Sequence, residues 1–330
     1  EPGYFWLENA RALGRMNDPP DGADEEAGGS NPCVEQTLWD RELCCLVETY
    51  PAHHHTLDDY LTTLRIAYEY AKTLTLVSTH DERTNAVMLR NRRIGCSMTG
   101  VVQAIERLGD RIFFEWCEHA YQEIQQWDRQ YSEWLNVPRS IKTTSVKPSG
   151  TVSLLAGATP GVHWGYAPYY LRRIRVSDGH PLIEICSEAG YPVEPDVYSD
   201  NTMVVAFPVH TQGLDRKRTA VSISEKIALA AKMQAHWSDN QVSCTVEFNP
   251  QTESNQIPQI LRDYEDRLKA ISFLPPDTHG YEQPPYEEIS QHRYEEMMAG
   301  LKPLRGSLEH EHQLESRFCD GEECETAPLR

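Results

Sequence analysis

The sequence predicts an α/β fold, arranged as a layer or a barrel. Short β-rich runs alternate with helical stretches along most of its 330 residues. No apolar run approaches the roughly 18 residues that a membrane span needs. A hydrophobic share of 39% with 25% charged residues is that of a soluble globular chain, long enough for one large domain or two ordinary ones.

Taken in order, residues 1–30 carry no clear period, and Asp18-Pro19-Pro20-Asp21-Gly22 is a turn cluster. Thr56 caps a helix with apolar positions Leu57, Leu61, Leu64, Tyr68, Ala71 and Leu74, and Asp58 and Asp59 suit its first turn. A long helix is expected from Asp110 to Leu135, with Phe113, Cys117, Tyr121, Ile124 and Tyr131 on one face, stopping before Pro138. Thr151–Leu155, Arg173–Val176, Met203–Phe207 and Val242–Phe248 read as strands. Helices are expected after Ser224, around Ile257–Ile271, and near Tyr286–Met298.

The net charge of −19 disfavours a nucleic acid or an anionic membrane as partner. From Pro276 onward, 13 acidic residues face 5 basic ones with few aliphatics, so this stretch reads as a solvated extension. The first six residues, Glu1–Trp6, carry neither an initiator Met nor a signal pattern, and the chain begins as though cut from something longer. Nine irregularly spaced cysteines argue for a reducing cytoplasm with a few active thiols rather than a disulfide framework.

Three segments carry chemistry. Asn31-Pro32-Cys33-Val34-Glu35 puts an amide, a thiol and a carboxylate within five residues, with Cys44 eleven residues beyond Cys33. The bland reading is a buried cysteine beside a turn. Lys147-Pro148-Ser149-Gly150-Thr151-Val152-Ser153 is a tight bend feeding a strand, with hydroxyls and backbone N–H groups that suit a phosphate; a plain turn is the alternative. Cys319 and Cys324 can close a small disulfide ring, or form half a zinc site with His310 and His312. His53-His54-His55 reads as a polar loop, because adjacent side chains on extended backbone point to opposite faces. Tyr169-Tyr170 reads as a packed pair entering a strand. Asn91-Arg92-Arg93-Ile94-Gly95 offers cations to a ligand or a solvated helix end.

Together these segments resemble the catalytic subunit of ribonucleotide reductase, and most closely its monomeric, adenosylcobalamin-dependent (class II) ribonucleoside-triphosphate type. Asn31-Pro-Cys-x-Glu35, Cys44, Asn91–Gly95, Pro148–Thr151, Ser272–Tyr281 and Cys319-x4-Cys324 carry the resemblance in order along nearly the whole chain. It implies the C-terminal portion of a ten-stranded α/β barrel, with the catalytic cysteine on an inner finger loop. Residues 1–275 would be part of the barrel, and 276–330 an acidic extension bearing a redox-active cysteine pair.

By that resemblance Cys33 is the thiyl radical, Glu35 the general base and Asn31 the holder of ribose hydroxyls. Cys44 is one member of a reducing dithiol, and Cys319 and Cys324 relay electrons from thioredoxin or a similar donor. Pro148, Ser149, Gly150, Thr151, Val152 and Ser153 would hold the phosphates of a ribonucleoside triphosphate. The partner of Cys44 and a deoxynucleotide effector site are expected in an upstream part outside this chain. The cofactor expected is adenosylcobalamin, with no metal ligand assigned to the chain. Class I subunits carry a tyrosine pair shortly before the tail cysteines. Here Tyr169-Tyr170 lies about 150 residues before Cys319. Two other readings stand beside this one: an incomplete nucleotide-binding piece of such a reductase, and a thiol hydrolase pairing Cys33 with a His53–His55 imidazole.

Overall fold

A computed structural model describes residues 3–214, 216–275 and 282–305. They gather into two compact units, one from the described residues up to 168 and from 210 to 275, the other from residues 169–209 and 282–305.

The first unit opens with strand β1 (Gly3–Phe5) and helix α1 (Leu7–Ala12). The short strands β2 (Gly29–Ser30) and β3 (Thr37–Leu38) follow, then β4 (Leu46–Thr49). Helices α2 (Leu57–Leu74) and α3 (Glu82–Asn91) lead to β5 (Gly95–Met98). Helices α4 (Val101–Leu108) and α5 (Asp110–Leu135) lead to β6 (Thr144–Ser145), with α6 (Val152–Leu155) after it. The second unit begins with β7 (Tyr169–Ser177), α7 (Leu182–Ala189), β8 (Val193–Pro195) and β9 (Thr202–His210). The chain then adds α8 (Ile223–His236), β10 (Thr245–Glu247), α9 (Ile257–Tyr264) and β11 (Ala270–Leu274) to the first unit. It adds β12 (Tyr286–Glu288) and α10 (Gln291–Gly300) to the second.

In the first unit β4 pairs in parallel with β5, and β5 with β6. A parallel bridge joins Val146 to Val242, and β10 pairs in parallel with β11. Five segments thus run in one direction in the order β4, β5, β6, β10, β11, linked by the helical crossovers that parallel pairing requires. Among the described residues this run is open rather than closed on itself, and antiparallel β1 edges β11. All four residues of β5 are buried, as a strand covered on both faces should be. Tyr60, Leu64, Phe113, Ile124, Ile227 and Trp237 belong to the core beneath the helices.

The helix starts and stops follow local chemistry. The Thr56 side chain accepts from the Asp59 N–H at 3.2 Å to cap α2, and α5 ends at Asn136 in the left-handed conformation. Lys72 of α2 and Asp128 of α5 form a buried ion pair at 2.8 Å, which ties the two long helices together.

Four expectations change. Thr151–Leu155 is not a strand, because α6 occupies it. The Ser153 N–H donates to the Ser149 carbonyl at 3.0 Å, so the bend closes a helical turn before any ladder can start. Residues 1–30 are not wholly irregular: β1 finds its partner some 270 positions away, a pairing no local pattern reveals. The helix around Ile257–Ile271 ends at Tyr264, and the apolar run from Ala270 becomes β11. Residues 286–288 are strand rather than helix, with α10 beginning at Gln291.

In the second unit the strand order is β12-β7-β9-β8, with β12 antiparallel to β7. Tyr169 and Tyr170 do enter a strand, and each packs on a different tyrosine, with ring centroids 5.2 Å from Tyr294 and 5.7 Å from Tyr286 respectively. Arg173 and Glu287 add a 2.5 Å ion pair across the same two strands.

Candidate active site

The Asn31–Glu35 segment is the loop of the β2–β3 hairpin, in which Gly29 faces Leu38 and Ser30 faces Thr37. Asn31 folds the loop back on itself. Its Oδ1 accepts the Glu35 and Gln36 N–H groups at 3.1 and 3.0 Å, and its carbonyl accepts the Val34 N–H at 2.9 Å. Val34 pays for that closure with φ of 61°, a left-handed conformation unusual for a β-branched residue. The loop is then fastened to the segment entering β10. Ser243 Oγ donates to the Cys33 carbonyl at 2.6 Å, and the Gln241 N–H to the Glu35 carbonyl at 3.1 Å.

Anchoring through main-chain carbonyls and the Asn31 oxygen leaves the Cys33 and Glu35 side chains for chemistry. Cys33 is exposed. Glu35 is fully buried; its Oε1 accepts from Lys147 Nζ at 2.9 Å, while Oε2 is buried with no hydrogen-bond partner. Behind it, Gln36 Nε2 donates to the Cys45 carbonyl at 3.3 Å. Gly95 makes room for that amide, since a Cβ there would lie 2.5–2.6 Å from Leu46, Gln36 and Ser145.

Cys44 is a half-buried free thiol. Burial, then the neighbouring Glu35 carboxylate, pushes it up to about 12, with Lys147 opposing and Cys33 within electrostatic reach. Cys33, Glu35, Cys44 and Lys147 therefore converge on one place. Lys147 is shifted upward: burial works against its charge, but the hydrogen bond to and charge of Glu35 outweigh it.

Lys147 also opens the phosphate-type bend. Ser149 takes φ of 54°, and the space beside Gly150 is open. The Ser149 hydroxyl donates to Glu48 Oε2 at 2.5 Å, and Thr99 donates to Glu48 Oε1 at 2.8 Å. Burial raises the Glu48 carboxyl despite those bonds. Gly161 supports the bend from below, where a Cβ would meet the Lys147 carbonyl at 2.4 Å. Of the predicted residues Thr151 is exposed, Pro148, Gly150 and Val152 are half-buried, and Ser149 and Ser153 are buried.

The remaining candidates fall elsewhere. His54 is engaged by Asp59 at 2.8 Å rather than by a thiol. Arg93 is neither solvated nor facing a ligand: it is fully buried against Asp24 at 2.6 Å and Glu42 at 3.0 Å. Cys319 and Cys324, with His310 and His312, lie outside the described residues. Sequence reasoning missed Lys147 as the partner of Glu35, and missed Glu48, Gln241 and Ser243. Only Lys147 left a signal, as the first residue of the bend.

No protein-family model matches the chain. The Dictyostelium discoideum protein named "Probable adenosylcobalamin-dependent ribonucleoside-triphosphate reductase" is 47% identical over 331 residues, which are 98% of this chain and 44% of that protein. The Euglena gracilis adenosylcobalamin-dependent ribonucleoside-triphosphate reductase is 46% identical over 332 residues, 98% of this chain and 46% of its own length. The crystal structure of a B12-dependent (class II) ribonucleotide reductase superposes with a TM-score of 0.83 at 33% identity, covering 94% of this chain and 47% of that one. The chain is homologous to part of a class II ribonucleotide reductase. It spans about half the length of the curated reductases it matches. Within this chain the hairpin loop, Cys44 and the Lys147–Ser153 bend all lie in one compact unit, the one that holds the parallel strands.

Proposed function

We propose that this chain carries the radical loop and the phosphate-binding bend of an adenosylcobalamin-dependent ribonucleoside-triphosphate reductase, working in the cytoplasm. One observation carries the reading: an exposed thiol and a buried carboxylate with one free oxygen stand two residues apart on a loop held by its main chain.

The site fits a radical delivered from outside the chain. Cys33 is open to approach, and its loop does not depend on its side chain for anchorage. Adenosylcobalamin, when bound, supplies a carbon-centred radical by homolysis of its cobalt–carbon bond. Cys33, as a thiyl radical, takes the 3′-hydrogen of the ribose, and Glu35 Oε2 accepts the 3′-hydroxyl proton. Asn31 keeps its amide N–H groups for a ribose hydroxyl, since its oxygen is committed to the loop. The 2′-oxygen leaves as water. Two electrons and two protons come from a dithiol that includes Cys44, which becomes a disulfide, and Cys33 returns the hydrogen to C3′. A thiol whose proton is held to about 12 is suited to deliver hydrogen rather than to sit as thiolate.

Pro148, Ser149, Gly150, Thr151, Val152 and Ser153 take the phosphates in this reading. The second dithiol cysteine and the deoxynucleotide effector site belong to the remainder of the reductase. Cys319 and Cys324, on the 276–330 extension, reduce the disulfide and are themselves reduced by thioredoxin or a similar dithiol.

The test is Cys33→Ser in the complete reductase chain, followed by deoxynucleotide formation from labelled triphosphate with adenosylcobalamin. We expect complete loss of product; retained turnover would overturn the radical assignment.

A further inference from the structure

We infer that Lys147 is a positioning residue for proton transfer: it occupies Glu35 Oε1, leaves Oε2 as the oxygen available to a substrate proton, and links that carboxylate to the phosphate bend. The inference deepens the proposed reaction and rests on it. Glu35 is fully buried, and an isolated buried carboxylate favours its neutral form, in which it cannot accept a proton. The Lys147 ammonium, 2.9 Å from Oε1, is the one cation recorded at hydrogen-bond distance from it among the described residues. The asymmetry matters. A carboxylate has two equivalent oxygens, and tying one of them decides which remains to meet the 3′-hydroxyl.

The pairing is also fixed from behind. The Lys147 N–H donates to Ser97 Oγ at 2.9 Å, and Gly161 abuts its carbonyl, so the backbone carrying the ammonium has little freedom. The next residues are the bend. A triphosphate seated there would bring its charge close to an ammonium already shared with Glu35, coupling substrate binding to the state of the base. The titratable groups facing this pair are Cys33 on the same loop, Cys44 on the segment before β4, and Glu48 on β4, on which the Lys147 charge also acts.

Three variants test it. In the complete reductase, Lys147→Met should move the acid limb of the kcat/KM profile upward by about one pH unit, a tenfold change in proton affinity. Lys147→Arg should restore the limb while leaving the phosphate bend intact. In the 330-residue chain, followed by ζ-15N NMR of Lys147, Glu35→Gln should lower the lysine titration toward its ordinary range. If Lys147→Met does not fold, as judged by circular dichroism, Lys147→Gln carries the same expectation. An unmoved acid limb, or an unmoved lysine titration, overturns the positioning role. If Glu35→Gln leaves full turnover in the complete reductase, the base assignment itself fails and the Lys147 role falls with it, a result distinct from loss of the pH shift alone.

Discussion

Cys33 and Cys44 lie eleven positions apart in the same unit but differ in what water can do to them. Cys33 is exposed, whereas burial and the Glu35 carboxylate push Cys44 up to about 12. At pH 8 such a thiol stays protonated, and thiolate is the form that alkylates. Iodoacetamide at pH 8 should therefore label Cys33 within minutes and leave Cys44 unmodified, as peptide mass spectrometry can check. Equal labelling of both would mean that Cys44 is not shielded. At this scale the sequence was informative where chemistry is crowded. Asn31, Cys33 and Glu35 were legible because three functional groups within five residues are unusual. The Lys147 partner of Glu35 was not, because 112 residues separate them and only the folded parallel strands bring them together.

Among the elements, the hairpin loop and the phosphate-type bend share a device: each turns through a non-glycine residue at positive φ, Val34 at 61° and Ser149 at 54°. Such backbone costs about 1–3 kcal/mol, most for a β-branched side chain. Val34→Gly should relieve that strain, leaving the urea midpoint unchanged or raised, while deoxynucleotide formation in the complete reductase falls because the loop loses its single conformation. A large drop in stability would show that Val34 contributes packing rather than strain. Gly161 is the opposite case. Gly161→Ala forces a Cβ onto the Lys147 carbonyl and should destabilise by about 1–3 kcal/mol in urea unfolding. The helical nature of Val152–Leu155 could not be read from Thr-Val-Ser-Leu-Leu, whose β-branched start favours a strand. The left-handed Ser149 decides it, and nothing in the residue type announces that angle. By contrast α2 and α5 were legible from their spacing and from the cap at Thr56, while α8, expected after Ser224, begins at Ile223 behind a Ser222 cap that the sequence reading did not name.

Across the first unit as a whole, β4, β5, β6, β10 and β11 are held in one direction by crossovers, and a buried charge cluster holds their N-terminal surroundings. Arg93, just before β5, pairs with Asp24 and Glu42, all three buried. Burial alone would raise the Asp24 carboxyl, but the hydrogen bond and charge of Arg93, with Lys142 and Trp39, hold it below the ordinary carboxylate range. A depressed folded value adds stability above the unfolded value near 4, and that stability is lost as pH falls through the folded value. Urea stability attributable to this group should therefore be level from pH 7 to 5 and decline below about 4. Arg93→Met, which strands two buried carboxyls, should cost about 3–5 kcal/mol at pH 7. A loss under 1 kcal/mol would remove this cluster from the account of stability. The α/β alternation was visible in the sequence, but not the strand order, since β1 on β11 and Val146 beside Val242 depend on contacts across most of the chain.

The hairpin loop is gripped through the carbonyls of Cys33 and Glu35, by Ser243 and Gln241, and not through the sulfur. A change at position 33 would therefore escape any quality control that reads folding. Under the proposed function, the altered protein would reach normal abundance, survive proteolysis and still take up nucleotide. Loss of the thiol would surface only as a shortage of product, with the idle copy competing against intact ones for the same precursors.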